Sequence, residues 1–145
     1  MSVLSHRLGP LGMALALLGV VAGLWIGTAR ADATGIAGLG VDIPGVQPQG
    51  RNVVLTVHAG AGEIVTIGVS GHVRQGGRNL PLERGTATAG PGSRATIALR
   101  PRKDWQERKI KQALAKGRTL TATITVRVKD VFGNIATRSR SITLT

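Results

Sequence analysis

No cysteine occurs in the 145 residues, so the chain holds no disulfide and offers nothing for a lipoprotein-type lipid anchor. Tyrosine is missing too, and one phenylalanine with two tryptophans is the whole aromatic content. A core of this composition has to be aliphatic. With no run of rings to stack on bases, a single-strand nucleic-acid module is not expected. Carboxylates are scarce: seven Asp and Glu stand against nineteen Lys and Arg, a formal net charge of +12. Such a field favours polyanions, whether nucleic acid, acidic cell-wall polymers or anionic headgroups. The competing reading is a coding bias toward Arg, Ala and Gly, with the charge serving only solubility.

What is present begins with a leader pattern. Arg7 precedes an uncharged stretch from Leu8 to Ala29, and Ala29-Arg30-Ala31 then brings small residues to a cleavage point before Asp32. Export machinery reads this order, because the apolar run must partition into the membrane and the peptidase admits only small side chains. A signal peptide over 1–31 is therefore expected. The alternative is an uncleaved membrane anchor, since the 22 uncharged residues approach the roughly 20 that span a bilayer. Gly19, Gly23 and Gly27 weaken such a span. No apolar tail follows the last strand, so no C-terminal anchor is expected. Processing would leave 114 residues, enough for one domain, and removal of Arg7 and Arg30 would bring the charge to +10.

Residues 32–50 are rich in Gly and Pro, and Pro44 and Pro48 exclude a regular helix or central strand. They read as an extended linker, with Ile36, Leu39, Val41 and Ile43 able to lay an edge strand on the domain. From Arg51 the period is two. Val53, Leu55 and Val57 alternate with Val54, Thr56 and His58 up to Gly60-Ala61-Gly62, and Val65, Ile67 and Val69 alternate with Ile64, Thr66 and Ser70 beyond it. This pair is expected to form a hairpin. A third, separate piece around His72 to Gln75 meets a turn at Gly76-Gly77, with Leu80 and Leu82 beyond it. Thr86–Ala89 is a weak strand, Gly90-Pro91-Gly92 a firm turn, and Ala95, Ile97 and Leu99 alternate after that.

Asp104 as cap, Glu107 as its reciprocal partner and Gly117 as stop predict a helix near 104–116, with an apolar stripe of Ile110, Ala113 and Leu114 and with Trp105 off that stripe. The clearest strand is Thr119 to Lys129, where Leu120, Ala122, Ile124, Val126 and Val128 face one way and threonines with Arg127 and Lys129 the other. Asp130 to Asn134 turns the chain and Ile135 to Leu144 returns. In that last strand Arg138 and Arg140 share the parity of Ile142 and Leu144, which predicts a bulge or a strand that enters the core only at its end.

The order from Arg51 onward resembles the bacterial immunoglobulin-like domains of secreted and surface proteins from high-GC bacteria. The resemblance rests on a strand ending ATIALRP, a basic helix QERKIKQALAKGR, the long strand TLTATITVRVKD, the turn DVFGN and a final ITLT. It implies an all-β, Ig-like Greek-key β-sandwich of seven to eight strands, with the short helix before the last two strands, behind an N-terminal signal helix. The cysteine pair, core tryptophan and tyrosine corner of antibody domains are absent. The resemblance implies architecture and location, a contact or spacing module, and no reaction.

The candidate sites are few. His58 and His72, without cysteine or a matching carboxylate spacing, read as surface histidines rather than metal ligands. Ser70 and His72 lie two apart with Glu63 on the preceding strand, yet no nucleophile-elbow glycine pattern surrounds the serine, so no catalysis is expected. Asp130 and Asn134 offer too few oxygens for calcium and suit a turn. The best functional surface is basic: Arg100, Arg102, Lys103, Arg108, Lys109, Lys111, Lys116 and Arg118 would contact phosphates or carboxylates of a polyanion. The alternative is a solvated helix face with Asp104–Arg108 and Glu107–Lys111 pairs. The expected protein is an exported, non-enzymatic module, without metal or cofactor, that touches an envelope protein or an acidic cell-surface polymer. It would bind no specific nucleic acid, and would meet a membrane only through residues 8–29 if these stay uncleaved.

Overall fold

Period-two runs of aliphatic residues fold into nine strands and one helix across residues 35–145, the part of the chain that the computed structural model describes. The expected signal peptide at 1–31, and its anchor alternative at 8–29, lie outside the described residues. The strands are β1 (Gly40–Asp42), β2 (Val46–Gln47), β3 (Leu55–Gly60), β4 (Val65–Gln75), β5 (Arg78–Pro81), β6 (Gly85–Ala89), β7 (Arg94–Leu99), β8 (Leu120–Asp130) and β9 (Ile135–Leu144), with helix α1 (Asp104–Ala115) between β7 and β8. A small sheet has the order β1-β3-β7, and a large one the order β2-β9-β8-β4-β5, with β6 also on β4. β3 and β4 follow each other in sequence but lie in opposite sheets, as do β7 and β8, while β3 pairs with β7 and β4 with β8. That interlocking is the immunoglobulin-like Greek-key sandwich.

Aliphatic side chains close the space between the layers. Leu120, Ala122, Ile124, Val126 and Val128 of β8 are buried, and the intervening Thr121, Arg127 and Lys129 are exposed. Leu55, Val57 and Ala59 of β3, Val65, Ile67, Val69 and Val73 of β4, and Ile97 and Leu99 of β7 belong to the same cluster. Each of the larger ones contributes about 1.5–3 kcal/mol by leaving water. Trp105 and Phe132, the aromatics of this part of the chain, are 42% and 82% exposed.

Several expectations change. β3 and β4 are not a hairpin: the chain crosses between layers at Gly60-Ala61-Gly62, and a Cβ on Gly60 would collide with the Ser93 carbonyl oxygen. Alternation alone reports that a strand has one buried face, not which neighbour it pairs with. β4 runs unbroken through Gly71, where a Cβ would stand 2.6 Å from the Thr123 carbonyl oxygen. The hairpin at Gly76-Gly77 forms as expected, both glycines having positive φ. β9 has no bulge, since its register with β8 is continuous from Ile135 opposite Lys129 to Leu144 opposite Leu120. It meets the core at both ends, at Ala136 and at Ile142 with Leu144, and leaves Arg138 and Arg140 exposed between.

From Gly35 onward the stretch expected as a linker is part of the sandwich. Ile36 and Ile43 are buried, β1 pairs antiparallel with β3, and β2 pairs parallel with β9. Its side chains also complete the backbone accounting of β3, whose edge is bare beyond the three residues of β1. Gln47 accepts from the Thr56 N–H at 2.8 Å and donates to the Thr56 carbonyl at 2.9 Å, doing the work of a missing strand. Gln49 accepts from the Val54 N–H at 2.8 Å, and Glu107 from the Val53 N–H at 3.0 Å.

The helix starts one residue earlier in its capping than expected. Lys103 is the N-cap, and because lysine has no acceptor the Gln106 side chain supplies the bond, accepting from the Lys103 N–H at 3.0 Å. Asp104 sits in the first turn, where its charge suits the helix dipole, and Glu107 instead accepts from the Val53 N–H just ahead of β3. Gly117 ends the helix with φ +72°, its N–H on Leu114 and that of Arg118 on Ala113, a Schellman closure. Ile110 and Ala113 are buried against the sandwich, with Leu114 partly so.

Candidate functional site

The eight basic residues expected to face a polyanion are distributed over the end of β7, helix α1 and the segments at its two ends. Arg108 and Lys109 lie about 100° apart round the helix. The Lys109 ammonium stands 5.3 Å from the centroid of the Trp105 ring, a cation–π contact. Lys111 pairs with Glu107 at 3.0 Å. Arg100, Lys103 and Lys116 are exposed outside the helix proper, at the end of β7 and at the two caps. Arg102 lines an open depression on the large sheet with His72, Glu83 and Arg84, and Arg118 lines a different one with Arg74.

The first of these depressions, about 750 Å³, brings Ser70 and His72 together with Glu83, a carboxylate the spacing did not single out. Glu63 is elsewhere: its Oε1 accepts from the Ala37 N–H at 2.9 Å. His58 stands opposite Thr96 on the small sheet, its Nδ1 2.9 Å from the threonine hydroxyl. Among the described residues no three His, Cys, Asp or Glu side chains are placed to hold a metal ion.

The turn between β8 and β9 is exposed and is held by side-chain hydrogen bonds. Asp130 is buried, and its Oδ1 accepts from the backbone N–H of Phe132 at 2.9 Å and of Asn134 at 2.8 Å. Its Oδ2 accepts from the Asn134 side chain at 2.7 Å. Desolvation pushes this carboxyl up, but these bonds outweigh it and its pKa lies below the ordinary aspartate value. Gly133, with φ +90°, lets the chain close. So fastened, the turn carries Val131 at 65% and Phe132 at 82% exposure. Ile64 and Ile135, also exposed, lie beside it, because Val65 pairs with Asp130 and Ile135 with Lys129. An apolar patch thus caps one end of the large sheet. Composition showed that Phe132 was the one phenylalanine; only the turn geometry shows that it is presented to solvent.

No family model matches the chain, and no curated protein matches it. Nine chains of solved structure do. Murine CRIg aligns at 11% identity over 73% of this chain and 95% of its own, with a TM-score of 0.41. A superoxide reductase (neelaredoxin) from Ignicoccus hospitalis aligns at 12% identity over 81% and 90%, with a TM-score of 0.43. A protein from Archaeoglobus fulgidus aligns at 11% over 76% and 96%, with a TM-score of 0.36. The likeness is one of fold. At such identities nothing of what those proteins do passes to this chain, and the immunoglobulin-like assignment stands on the strand order itself.

Proposed function

We propose that this protein is an exported, non-enzymatic Ig-like contact module of the bacterial surface type, and that it holds a protein of the cell envelope through the tip of the β8–β9 hairpin. The observation that carries the reading is the exposed Phe132 on a turn pinned from beneath by Asp130. An aromatic left in water costs hydrophobic free energy, and one held rigidly loses little freedom on docking, which is how interface anchors behave. Val131, Ile64 and Ile135 widen the anchor into a patch of the kind that marks association surfaces. Export is supported by the leader pattern of residues 1–31, and a non-enzymatic role by the sequence around Ser70, which does not complete the Gly-x-Ser-x-Gly pattern of a nucleophile elbow.

The test is a photo-crosslinking residue placed at Phe132 and, as control, at Thr121 on the outer face of β8, in cells that export the protein. A discrete adduct from position 132 alone, with Asp32 as the terminus of the released chain, supports the reading. Equal or absent adducts at the two positions overturn the tip as contact. An intact Met1 in the membrane fraction replaces the released module with an anchored one. Loss of a measured activity in Ser70→Ala or His72→Ala would overturn the non-enzymatic part.

A further inference from the structure

On β9, Arg138 and Arg140 have the parity of the buried Ala136, Ile142 and Leu144, and they stand opposite Val126 and Ile124, both fully buried. Guanidinium groups on the inward side of a sandwich would be untenable against a closed core. They are accommodated because the small sheet does not extend over them. Its edge strand β1 is three residues long, and after Ile43 the chain abandons that sheet to join β9 as β2. What remains is an open cleft of about 780 Å³ between β1 and β9.

Arginine enters this cleft from both sheets. Arg140 donates from Nη1 to the Ile43 carbonyl at 2.6 Å, and its Nη2 would lie only 3.0 Å from a Cβ on Gly45. Arg94 comes from the other side: Arg94, Gly60 and Gly40 form one row across the small sheet, and the Arg94 Nη2 lies 3.4 Å from where a Gly40 Cβ would be. Residues without side chains at Gly40 and Gly45 thus make room for two guanidiniums. Beyond its backbone pairing in β7, the Arg94 side chain has no hydrogen bond or ion pair with any described residue. Among the described residues Asp42 is the single carboxylate on the lining, against three arginines, and Leu39 and Val41 give the cleft an apolar wall.

We propose that this cleft binds an organic anion with an apolar body, its carboxylate or phosphate head taken by Arg94 and Arg138 and its body laid along Leu39 and Val41. A guanidinium presents several N–H donors in a plane that matches two oxygens of such a head, and the cleft volume falls within the roughly 300–1,000 Å³ of small-molecule sites. Arg140 keeps the chain crossing in place at Ile43 and is a positioning residue. The site is independent of the hairpin tip and of the basic helix.

The experiment is titration calorimetry on the purified protein with octyl phosphate, octanoate, inorganic phosphate, acetate and octyltrimethylammonium, all below micelle formation. The proposal expects one of the two octyl anions to bind at least tenfold more tightly than its bare head group, and to weaken with added salt. Which of them wins distinguishes a phosphate from a carboxylate ligand. Arg94→Gln removes no bond of the fold and should lower that affinity about tenfold with an unchanged melting temperature. Arg94→Gln with Arg138→Gln should abolish it, and Arg140→Lys should largely retain it. Binding of the octyl cation as tightly as the anions, equal affinity of bare and octyl anions, unchanged affinity in Arg94→Gln, or no binding of any anion would each overturn it.

Discussion

Asp130 commits both carboxylate oxygens to one turn, and that fixes both a shape and a pH dependence. Its pKa lies below the ordinary aspartate value. Glu107 behaves alike: the Val53 N–H first, then the Lys111 ammonium, hold it below the usual glutamate value, against partial desolvation. A depressed carboxyl stabilises the fold fully above its unfolded pKa, about 4, and that contribution fades as pH falls below it toward the lowered folded value. The melting temperature should therefore drop on acidification through this range, and the drop should be shallower in Asp130→Asn with Glu107→Gln, which starts from lower stability at pH 7. Thermal scans from pH 7 to pH 3 decide it; parallel curves for the two proteins would refute the assignment. Gln47 makes a comparable commitment without charge. Gln47→Leu leaves the Thr56 N–H and carbonyl without their partners and should cost about 1–3 kcal/mol in denaturant unfolding, whereas Gln49→Leu, nearer the surface, should cost less.

At the level of elements, the strands that face the core were legible and their partners were not. The alternation of β8 announces its buried face residue by residue, and Ile124→Ala should cost about 2–5 kcal/mol, as core truncations do. The same alternation in β3 and β4 is satisfied equally by a hairpin and by two layers, since each strand has one apolar face in either arrangement. What decides is a contact distant in sequence: Gly60 lies against Ser93, and Gly62 donates to the Ala37 carbonyl. Gly60→Ala should accordingly destabilise far more than Gly76→Ser, although both are loop-flanking glycines, because the first meets backbone and the second only solvent at a strained φ. Denaturation midpoints of the two variants test this. In the 35–50 stretch the edge strand that Leu39 and Val41 allow does form, as β1, and the rest of the stretch packs on the domain as well instead of hanging as a linker. Its prolines and glycines exclude long strands, yet five strand residues and two glutamine amides are enough to cover a sheet edge. The cleft was half legible: the parity of Arg138 and Arg140 marked a conflict in the sequence, but that Arg94 faces them across β1 depends on strand order.

For the molecule as a whole, the question is which of its surfaces the surplus charge serves. If the +12 acts as a diffuse field, retention on an acidic polymer should fall steeply with salt and change little when single positions are altered. If the basic helix face is a site, Arg102→Glu with Lys109→Glu should elute much earlier than a control with the same charge change made at Arg127 and Lys129 on β8; equal elution removes the helix as a polyanion contact. The apolar tip raises a separate question of orientation. A Cβ on Gly35, where the described chain begins, would stand 3.5 Å from the Asn134 side chain, so the polypeptide enters the domain beside the tip. Only residues 30–34 separate Gly35 from the uncharged stretch, a reach of at most roughly 18 Å. An anchored chain would thus hold Phe132 near the bilayer, while a released one would leave it free for a protein. A polarity-sensitive dye on Phe132→Cys, in a chain that has no other thiol, separates the two. In the released protein its emission should stay water-like when vesicles of neutral or anionic lipid are added. A blue shift with both lipids would make the tip a membrane contact rather than a protein one, and a shift with anionic lipid alone would assign the attachment to the positive field, with the tip following.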